Sequence, residues 1–316
     1  MKRRTFFNRT ISLSLALSAL PFVRFFGRTS RKTNNFPKRT LGKTGEQLSI
    51  IGFGGIMVNA QEQSFANDLV AQAFDQGINY YDVAPTYGNA EENLGPALEP
   101  YRKKCFLACK TAERKADKAE AELHRSLKHL RTDFFDLYQL HALSSIDDVE
   151  TAFGPGGAME VFIKARKDGK VRFLGFSAHS EEAALLAMDK FDFDTVLYPI
   201  NYVCWFQGKF GPGVVKTAKE KGMGILALKG LAHTLIPEGK DKPYERLWYI
   251  PIEENEIQDL SLRFTLSQGV TAAIPPGDPV FWPGALEIAQ GHLYISSNEI
   301  KKLEGISSGV TPLFNA

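Results

Sequence analysis

Eight short β-rich runs alternate with stretches of helical period across residues 50–275, and that alternation restricts the chain to an architecture of strand–helix units around a parallel sheet. The runs are 50–54, 79–84, 105–110, 134–141, 171–177, 195–201, 224–229 and 270–275. Between them, 65–76 carries Phe65, Leu69, Val70, Ala73 and Phe74 on one helical face, and 114–130 sets Ala119, Leu123, Leu127 and Leu130 against Lys and Glu. Punctuation repeats as well: Asp75-Gln76-Gly77, Lys167-Asp168-Gly169 and Glu220-Lys221-Gly222 each place a glycine after an amphipathic segment and before an apolar run, the pattern of a helix C-cap feeding a strand. Ser180 ahead of Glu181 and Glu182 reads as an N-cap with acids in the first turn. Eight such units in about 270 residues fit a closed (β/α)8 TIM barrel of the α/β class better than an open doubly wound sheet. Gly52-Phe53-Gly54-Gly55 lacks the third glycine of a dinucleotide-binding fingerprint, which leaves a Rossmann reading weak.

Charge divides the chain in two. Of 38 Lys/Arg and 36 Asp/Glu, ten basic and no acidic residues fall in 1–40, leaving 28 basic against 36 acidic residues in 41–316, a net of −8. An acidic body argues against a nucleic-acid surface, which needs clustered positive charge. The N-terminus, Lys2-Arg3-Arg4-Thr5-Phe6-Phe7 followed by a 13-residue apolar run from Ile11 to Val23, is too short for a spanning helix of about 20 residues. It resembles a twin-arginine export signal, a substrate of the twin-arginine translocation machinery that carries proteins already folded around a cofactor. The expected location is therefore extracytoplasmic or periplasmic, with membrane contact only through this segment. No small-x-small cleavage site follows Ala19-Leu20-Pro21, so an uncleaved tether fits too; an untargeted basic tail on a cytoplasmic protein is the alternative. Residues 1–36 are read as targeting segment and linker, and 37–316 as the barrel with a C-terminal extension. Cys105, Cys109 and Cys204 form no disulfide framework and no zinc or iron–sulfur spacing, so no metal is expected.

Catalytic groups in such barrels project from the C-terminal ends of the strands. Those ends carry Asp82, Lys110, His141, Ser177, Asn201 and Lys229, with Tyr87 in the loop after the second strand. Alternation along Cys105-Phe106-Leu107-Ala108-Cys109-Lys110 turns Phe106, Ala108 and Lys110 inward together. A buried ammonium needs a carboxylate to stay charged, and Asp82 is the natural partner; a lysine snorkelling from the strand mouth is the alternative. A tyrosine of reference pKa about 10 donates a proton poorly at neutral pH unless a cation stabilises its phenolate. Lys110 would be that cation for Tyr87, which taken alone is a packed loop aromatic. In Asp136-Leu137-Tyr138-Gln139-Leu140-His141 the same alternation turns Leu137, Gln139 and His141 inward. A neutral imidazole there can donate to a substrate carbonyl, whereas a lone histidine is otherwise a satisfied core residue.

Gly77-Ile78-Asn79-Tyr80-Tyr81-Asp82-Val83-Ala84-Pro85-Thr86-Tyr87-Gly88-Asn89-Ala90-Glu91, then Cys109-Lys110, then Asp136 to His141, then Leu174-Gly175-Phe176-Ser177, together resemble the aldo/keto reductase family from about residue 38 to 290. The resemblance implies a (β/α)8 barrel that binds NADP or NAD without a Rossmann domain. It implies an Asp, Tyr, Lys, His tetrad at Asp82, Tyr87, Lys110 and His141, with hydride transfer between nicotinamide and a carbonyl or alcohol and Tyr87 as general acid or base. It further implies coenzyme contacts at Gly55, Ser177, Asn201, Lys229, Gly230, Pro276, Gly277 and Asp278.

The coenzyme rim departs from the family pattern. Leu197 stands where many members have Gln, with Asn201 placed to take over part of that contact, and Leu228-Lys229-Gly230 replaces the aromatic that commonly stacks on nicotinamide. Lys229 could meet the pyrophosphate or simply be solvated. No Lys or Arg occurs between 271 and 300, where NADP-preferring members clamp a 2′-phosphate, and Asp278 in Pro275-Pro276-Gly277-Asp278-Pro279 would repel one, a tilt toward NAD. The loop 230–252 with His233, Trp248 and Tyr249, together with Trp205, Phe206, Phe281 and Trp282, could roof a pocket for a small carbonyl or sugar substrate. Cys105 and Cys109 should face outward against helices. Two rival functions fit the same residues. One is an exported sugar-modifying enzyme with NAD as a resident redox catalyst; the other is a non-catalytic redox-sensing binding subunit.

Overall fold

The structure, a computed structural model, describes residues 36–316, so the twin-arginine reading of the N-terminus lies outside the described residues. A hairpin comes first, β1 (Lys38–Thr40) against β2 (Gln47–Ser49). Then follow β3 (Phe53–Gly54), β4 (Tyr80–Asp82), β5 (Phe106–Thr111), β6 (Phe135–Leu143), β7 (Val171–Ala178), β8 (Thr195–Pro199) and β9 (Gly224–Leu228). A second hairpin, β10 (Ala232–Leu235) with β11 (Tyr249–Pro251), precedes β12 (Ala272–Ile274). The helices are α1 (Gln63–Asp75), α2 (Ala90–Leu98), α3 (Ala116–His129), α4 (Ile146–Phe153), α5 (Ala158–Lys167) and α6 (Glu181–Lys190), then α7 (Tyr202–Phe206), α8 (Pro212–Glu220), α9 (Asn255–Ser267), α10 (Trp282–Gln290) and α11 (Ser297–Ser307). Among the described residues no helix is long and apolar enough to cross a membrane.

The eight parallel strands run in the order β12-β9-β8-β7-β6-β5-β4-β3, and a parallel bridge between Ile51 and Ala273 joins the two edges into a (β/α)8 barrel. Closure removes the exposed edges that an open sheet would leave. All eight expected strands are present. Gly77, Gly169 and Gly222 end α1, α5 and α8 at φ of 95°, 74° and 65°, a left-handed turn that a side chain would strain. Ser180 caps α6, its hydroxyl accepting from the Ala183 amide.

Strand alternation separates two cores. Inside the barrel, Tyr80, Phe106, Ala108, Leu137, Leu197, Leu226 and Ala272 pack together, and Leu41 and Leu48 of the first hairpin fill the floor beneath them. Outside, Leu107, Cys109, Tyr138, Leu140 and Phe176 meet the helices, with Ala119, Leu123 and Ala183 facing back. Cys105 and Cys109 belong to this outer layer, as alternation requires. The floor is seated closely: at Gly42, φ 47°, a Cβ would fall 2.2 Å from the Gly224 nitrogen. Arg39 ties the same hairpin to the end of α9 and the segment after it, donating to the Leu266 and Val270 carbonyls at 2.7 and 2.6 Å.

Several expectations about loops are corrected. Residues 230–252 are not one open loop but carry β10 and β11. Phe281 and Trp282 are buried in the outer core, Trp282 edge-on to Phe53, and do not roof a pocket. Trp205 and Phe206 pack on Phe264 of α9. Large aromatics near a loop are drawn into whatever apolar space the helices leave, and that is decided by tertiary packing.

Candidate active site

Period-2 alternation on β5 puts Lys110 above Ala108 and Phe106 on the inner wall, and parallel pairing sets Asp82 of β4 opposite Ala108. Lys110 and Asp82 are accordingly both buried, joined by a direct Nζ to Oδ1 ion pair. Lys110 also donates to the Val83 carbonyl at 3.3 Å. The second Asp82 oxygen accepts from Gln139 Nε2 at 3.1 Å and, more weakly, from the Tyr80 hydroxyl at 3.4 Å. Burial alone would lower the Lys110 pKa, but Asp82, with Tyr87 adding to it, holds the ammonium above its ordinary value. The lysine is therefore a fixed internal cation and does not snorkel to solvent.

Tyr87 follows a turn closed by its amide donating to the Ala84 carbonyl at 3.0 Å. Its ring is half-buried, with Lys110 Nζ 5.3 Å from the centroid and the His141 ring edge-on at 5.8 Å. Burial raises the phenol pKa, Lys110 draws it back and Asp82 adds to the rise; the net is a phenol above its usual value. The expected downward pull of Lys110 is present, but burial outweighs it. Tyr87 is held protonated at neutral pH, and the lysine offsets the desolvation a phenolate would suffer.

His141 owes its aim to a β-bulge. Leu140 pairs with Phe176 and Leu143 with Ala178, so β6 carries one residue more than β7 over this stretch, and Ala142 absorbs it at φ 53°. The displaced groups are satisfied by side chains. Ser177 Oγ accepts from the Ala142 amide at 2.7 Å, and Arg114 donates to the His141 carbonyl at 2.7 Å. The imidazole Nδ1 lies 3.4 Å from the Thr86 hydroxyl. Burial first, then the charges of Lys110, His179, Arg114 and Lys229, push its pKa down to about 2, leaving a neutral ring. Asp82, Tyr87, Lys110 and His141 thus converge at the C-terminal end of β4, β5 and β6.

The other sequence-derived positions all stand on the same rim: Gly55 after β3, Ser177 on β7, Asn201 after β8, Lys229 and Gly230 after β9, and Pro276, Gly277 and Asp278 after β12. Asn201 caps α7, Oδ1 accepting from the Cys204 amide at 2.9 Å, while its buried Nδ2 has no partner. A buried amide donor left unpaired by the chain is costly and is open to an acceptor. Gly277 lies so close to Ile56 that a Cβ would sit 2.5 Å from its Cγ2, keeping the β12 loop flush with the rim. An orphaned donor, a strand-end hydroxyl and a closely seated glycine loop on the same rim fit the carboxamide and diphosphate of a nicotinamide coenzyme.

Asp278 differs from its reading as a free ribose acceptor. Its Oδ1 accepts from the Val280 amide at 3.1 Å, and Oδ2 lies 3.9 Å from Arg246 Nη1. Arg246 in turn donates from Nε and Nη2 to the Asn59 carbonyl, bridging the segment before β11 to the β3 end. Sequence reasoning missed Arg246 because nothing local links position 246 to 278. It also passed over Gln139 and Arg114. The signal for Gln139 was present, since alternation already turned it inward beside His141.

Comparison with known proteins bears on the family and the fold. The sequence profile of the Aldo/keto reductase family matches residues 50–247. The chain is similar to the aldo-keto reductase YhdN of Bacillus subtilis, 30% identical over 220 residues, covering 62% of each chain. It is also similar to L-galactose dehydrogenase of Arabidopsis thaliana, 27% identical over 219 residues, 63% of this chain and 67% of that one. With an uncharacterized oxidoreductase of Bacillus subtilis it shares 30% identity over 155 residues, 45% of this chain. The aligned stretches span from 48% to 67% of these three relatives' own lengths. Among solved structures, an aldo-keto reductase of Bacillus halodurans in its holo form superposes with a TM-score of 0.68 at 19% identity, over 88% of this chain and 99% of that one. That likeness concerns the fold.

Proposed function

This chain belongs to the aldo/keto reductase family, and on that premise we propose that it is a nicotinamide-dependent oxidoreductase that interconverts a small-molecule carbonyl and its alcohol, with Tyr87 as the proton donor and acceptor. The carrying observation is the Lys110 ammonium, buried, paired with Asp82 and set against the Tyr87 ring. Bound at the rim, the coenzyme supplies or accepts the hydride at the carbonyl carbon. The chain's own residues do the rest. Neutral His141 donates a hydrogen bond to the carbonyl oxygen and fixes its position beside Tyr87. As negative charge develops on that oxygen, the Tyr87 hydroxyl transfers its proton to it. Lys110 stabilises the phenolate left behind, and Asp82 with Gln139 keeps Lys110 charged and in place. Running in reverse, the phenolate removes the proton of an alcohol.

Asn201 Nδ2 and the Ser177 hydroxyl are the side chains to hold a carboxamide, with Gly55, Gly230, Pro276, Gly277 and Asp278 along the remainder of the coenzyme. The lack of Lys and Arg between 271 and 300 supports a preference for NADH over NADPH, the one cation paired with that loop being Arg246, 3.9 Å from Asp278 and also donating to the Asn59 carbonyl. Paired Arg3 and Arg4 ahead of a weakly apolar run support export of the folded protein. Oxidation of NADH by the purified protein across a panel of aldehydes and ketones, with dissociation constants for NADH and NADPH, tests the reading. Turnover with tighter NADH binding is expected; no turnover with any carbonyl removes the activity, and tighter NADPH binding removes the coenzyme preference alone.

A further inference from the structure

Three of the four acid–base residues stand on the barrel wall, Asp82 on β4, Lys110 on β5 and His141 on β6. Tyr87 stands on the connection from β4 to α2, where no strand aims it. A phenol that must deliver its proton to one oxygen needs its loop fixed by other means. Tyr87 closes one turn with the Ala84 carbonyl and opens the next, its own carbonyl accepting from the Ala90 amide at 3.1 Å. Gly88 and Asn89 are the central residues of that second turn, and Gly88 takes φ of 59°, which glycine adopts without strain. Both lie against the loop that follows β3. A Cβ on Gly88 would fall 2.2 Å from Asn59 Oδ1. Asn59 Oδ1 accepts from the Asn89 amide at 3.2 Å, and Asn89 Oδ1 accepts in return from the Ala60 amide at 2.7 Å. Two asparagines from different βα loops thus exchange side-chain-to-backbone bonds across the rim. Ala60 takes φ of 51° at this contact, a left-handed backbone that residues with a side chain seldom adopt and that clusters where function demands it.

The two bonds of this clasp are exposed, and water competes for each, so the clasp holds only if the Asn59 loop is itself rigid. That loop is braced from two sides. Asn93 of α2 donates from Nδ2 to the Val58 and Gln61 carbonyls, both at 2.9 Å. Arg246, from the segment before β11, donates to the Asn59 carbonyl from Nε at 3.2 Å and Nη2 at 2.9 Å, with its side chain only 13% exposed. Resting on the reading of Tyr87 as the proton donor of a carbonyl reductase, we propose that Asn59 is a positioning residue for the reaction: through its clasp with Asn89 it fixes the turn from Tyr87 to Ala90 and so holds the phenol at Lys110 and His141. Without the clasp the phenol keeps its chemistry but samples a wider range of positions. A displacement of about 1 Å at a reacting group costs up to about 10²-fold in rate. Asn59 has an ordinary extended backbone, φ −64° and ψ 137°, so its side chain can be exchanged without straining the chain.

The test sets Asn59→Ala, which removes the acceptor, beside Asn59→Asp, which keeps one. Asn59→Ala is expected to lower kcat by about tenfold or more while the carbonyl KM and the coenzyme dissociation constant stay within about twofold, and Asn59→Asp should restore most of the rate. The same substitution is then made in a Tyr87→Phe background and followed by single-turnover hydride transfer. There Asn59→Ala should cause no further loss, because the hydroxyl it aims is already gone, whereas a residue that merely supports the fold would slow both backgrounds alike. A kcat unmoved by Asn59→Ala, an equal loss in Asn59→Asp, or an equal loss with and without the Tyr87 hydroxyl overturns the proposal. Amide hydrogen exchange reads the clasp without turnover: Asn59→Ala should speed exchange in the peptide spanning residues 87–93 and Asn59→Asp should not. Unchanged protection there in Asn59→Ala also overturns the proposal. If no carbonyl is turned over, the reductase reading fails and the positioning role fails with it, while the exchange measurement still shows whether Asn59 holds the turn.

Discussion

Two buried aspartates stand at opposite ends of the barrel, each beside cations, and they are wired differently. Asp136, at the N-terminal end of β6, is fully committed: Oδ2 accepts from the Leu107 amide at 2.9 Å and pairs with Arg102 at 2.9 Å, while Oδ1 pairs with Arg172 at 2.6 Å. Arg172 continues to Glu46 in the floor hairpin, so the network locks β5, β6 and β7 to the closed end of the barrel. Asp82, at the C-terminal end of β4, meets one cation, and that cation lies against a tyrosine ring, 5.3 Å from its centroid. A carboxylate tied to two arginines and a backbone amide is an anchor; one whose single cation lies against a titratable tyrosine is a device for holding charge where a reaction can use it. The barrel thus keeps its structural electrostatics at the sealed end and its chemical electrostatics at the open end.

That contrast can be broken from either end. At the open end, Asp82→Asn is expected to reduce kcat by about 10²-fold or more, because it removes the charge that keeps Lys110 protonated beside the general acid; steady-state kinetics on the purified variant measure it. At the sealed end, Asp136→Asn leaves Arg102 and Arg172 without their buried carboxylate and should lower the free energy of unfolding by about 3–5 kcal/mol, with kcat per folded molecule preserved. Urea denaturation read beside kinetics separates the two, and an Asp136→Asn variant that is stable but inactive would erase the contrast.

A smaller effect sharpens it. His141 and His179 have folded pKa values near about 2 and about 4, below the reference of about 6.5 for an unfolded histidine. The unfolded chain therefore binds more protons between those values, and stability must rise with pH through that window and be lost as pH falls below about 6.5. Denaturation at pH 5 and pH 7 should show that slope, and a His141→Gln, His179→Gln double variant should flatten it. An unchanged slope would place the acid-sensitive groups elsewhere in the fold.

Much of this was legible in the order of residues, for local reasons. Strand alternation put Lys110 and His141 on the inner wall, and glycines after amphipathic runs marked three helix ends that adopt left-handed turns. What escaped was set by contacts distant in sequence. The bulge at Ala142 is held by Ser177 and Arg114, neither visible from the pattern of β6. Arg246 reaches the Asp278 loop across the barrel mouth. The net acidity of Tyr87 depends on burial, which residue order alone does not give, so the pull of Lys110 was foreseen and the larger opposing effect was not. The aromatics around 281–282 were misplaced because apolar side chains near a rim and in a core look alike until the helices are packed.

The most direct measurement is turnover and coenzyme affinity of Tyr87→Phe, which removes one hydroxyl and keeps the ring against Lys110 and His141. A fall in kcat of about 10²–10⁴-fold, with the coenzyme dissociation constant unchanged, is the expected result. A Tyr87→Phe protein that reduces carbonyls at close to the wild-type rate would contradict the role assigned to the phenol and, with it, the reason for burying Lys110 beside Asp82.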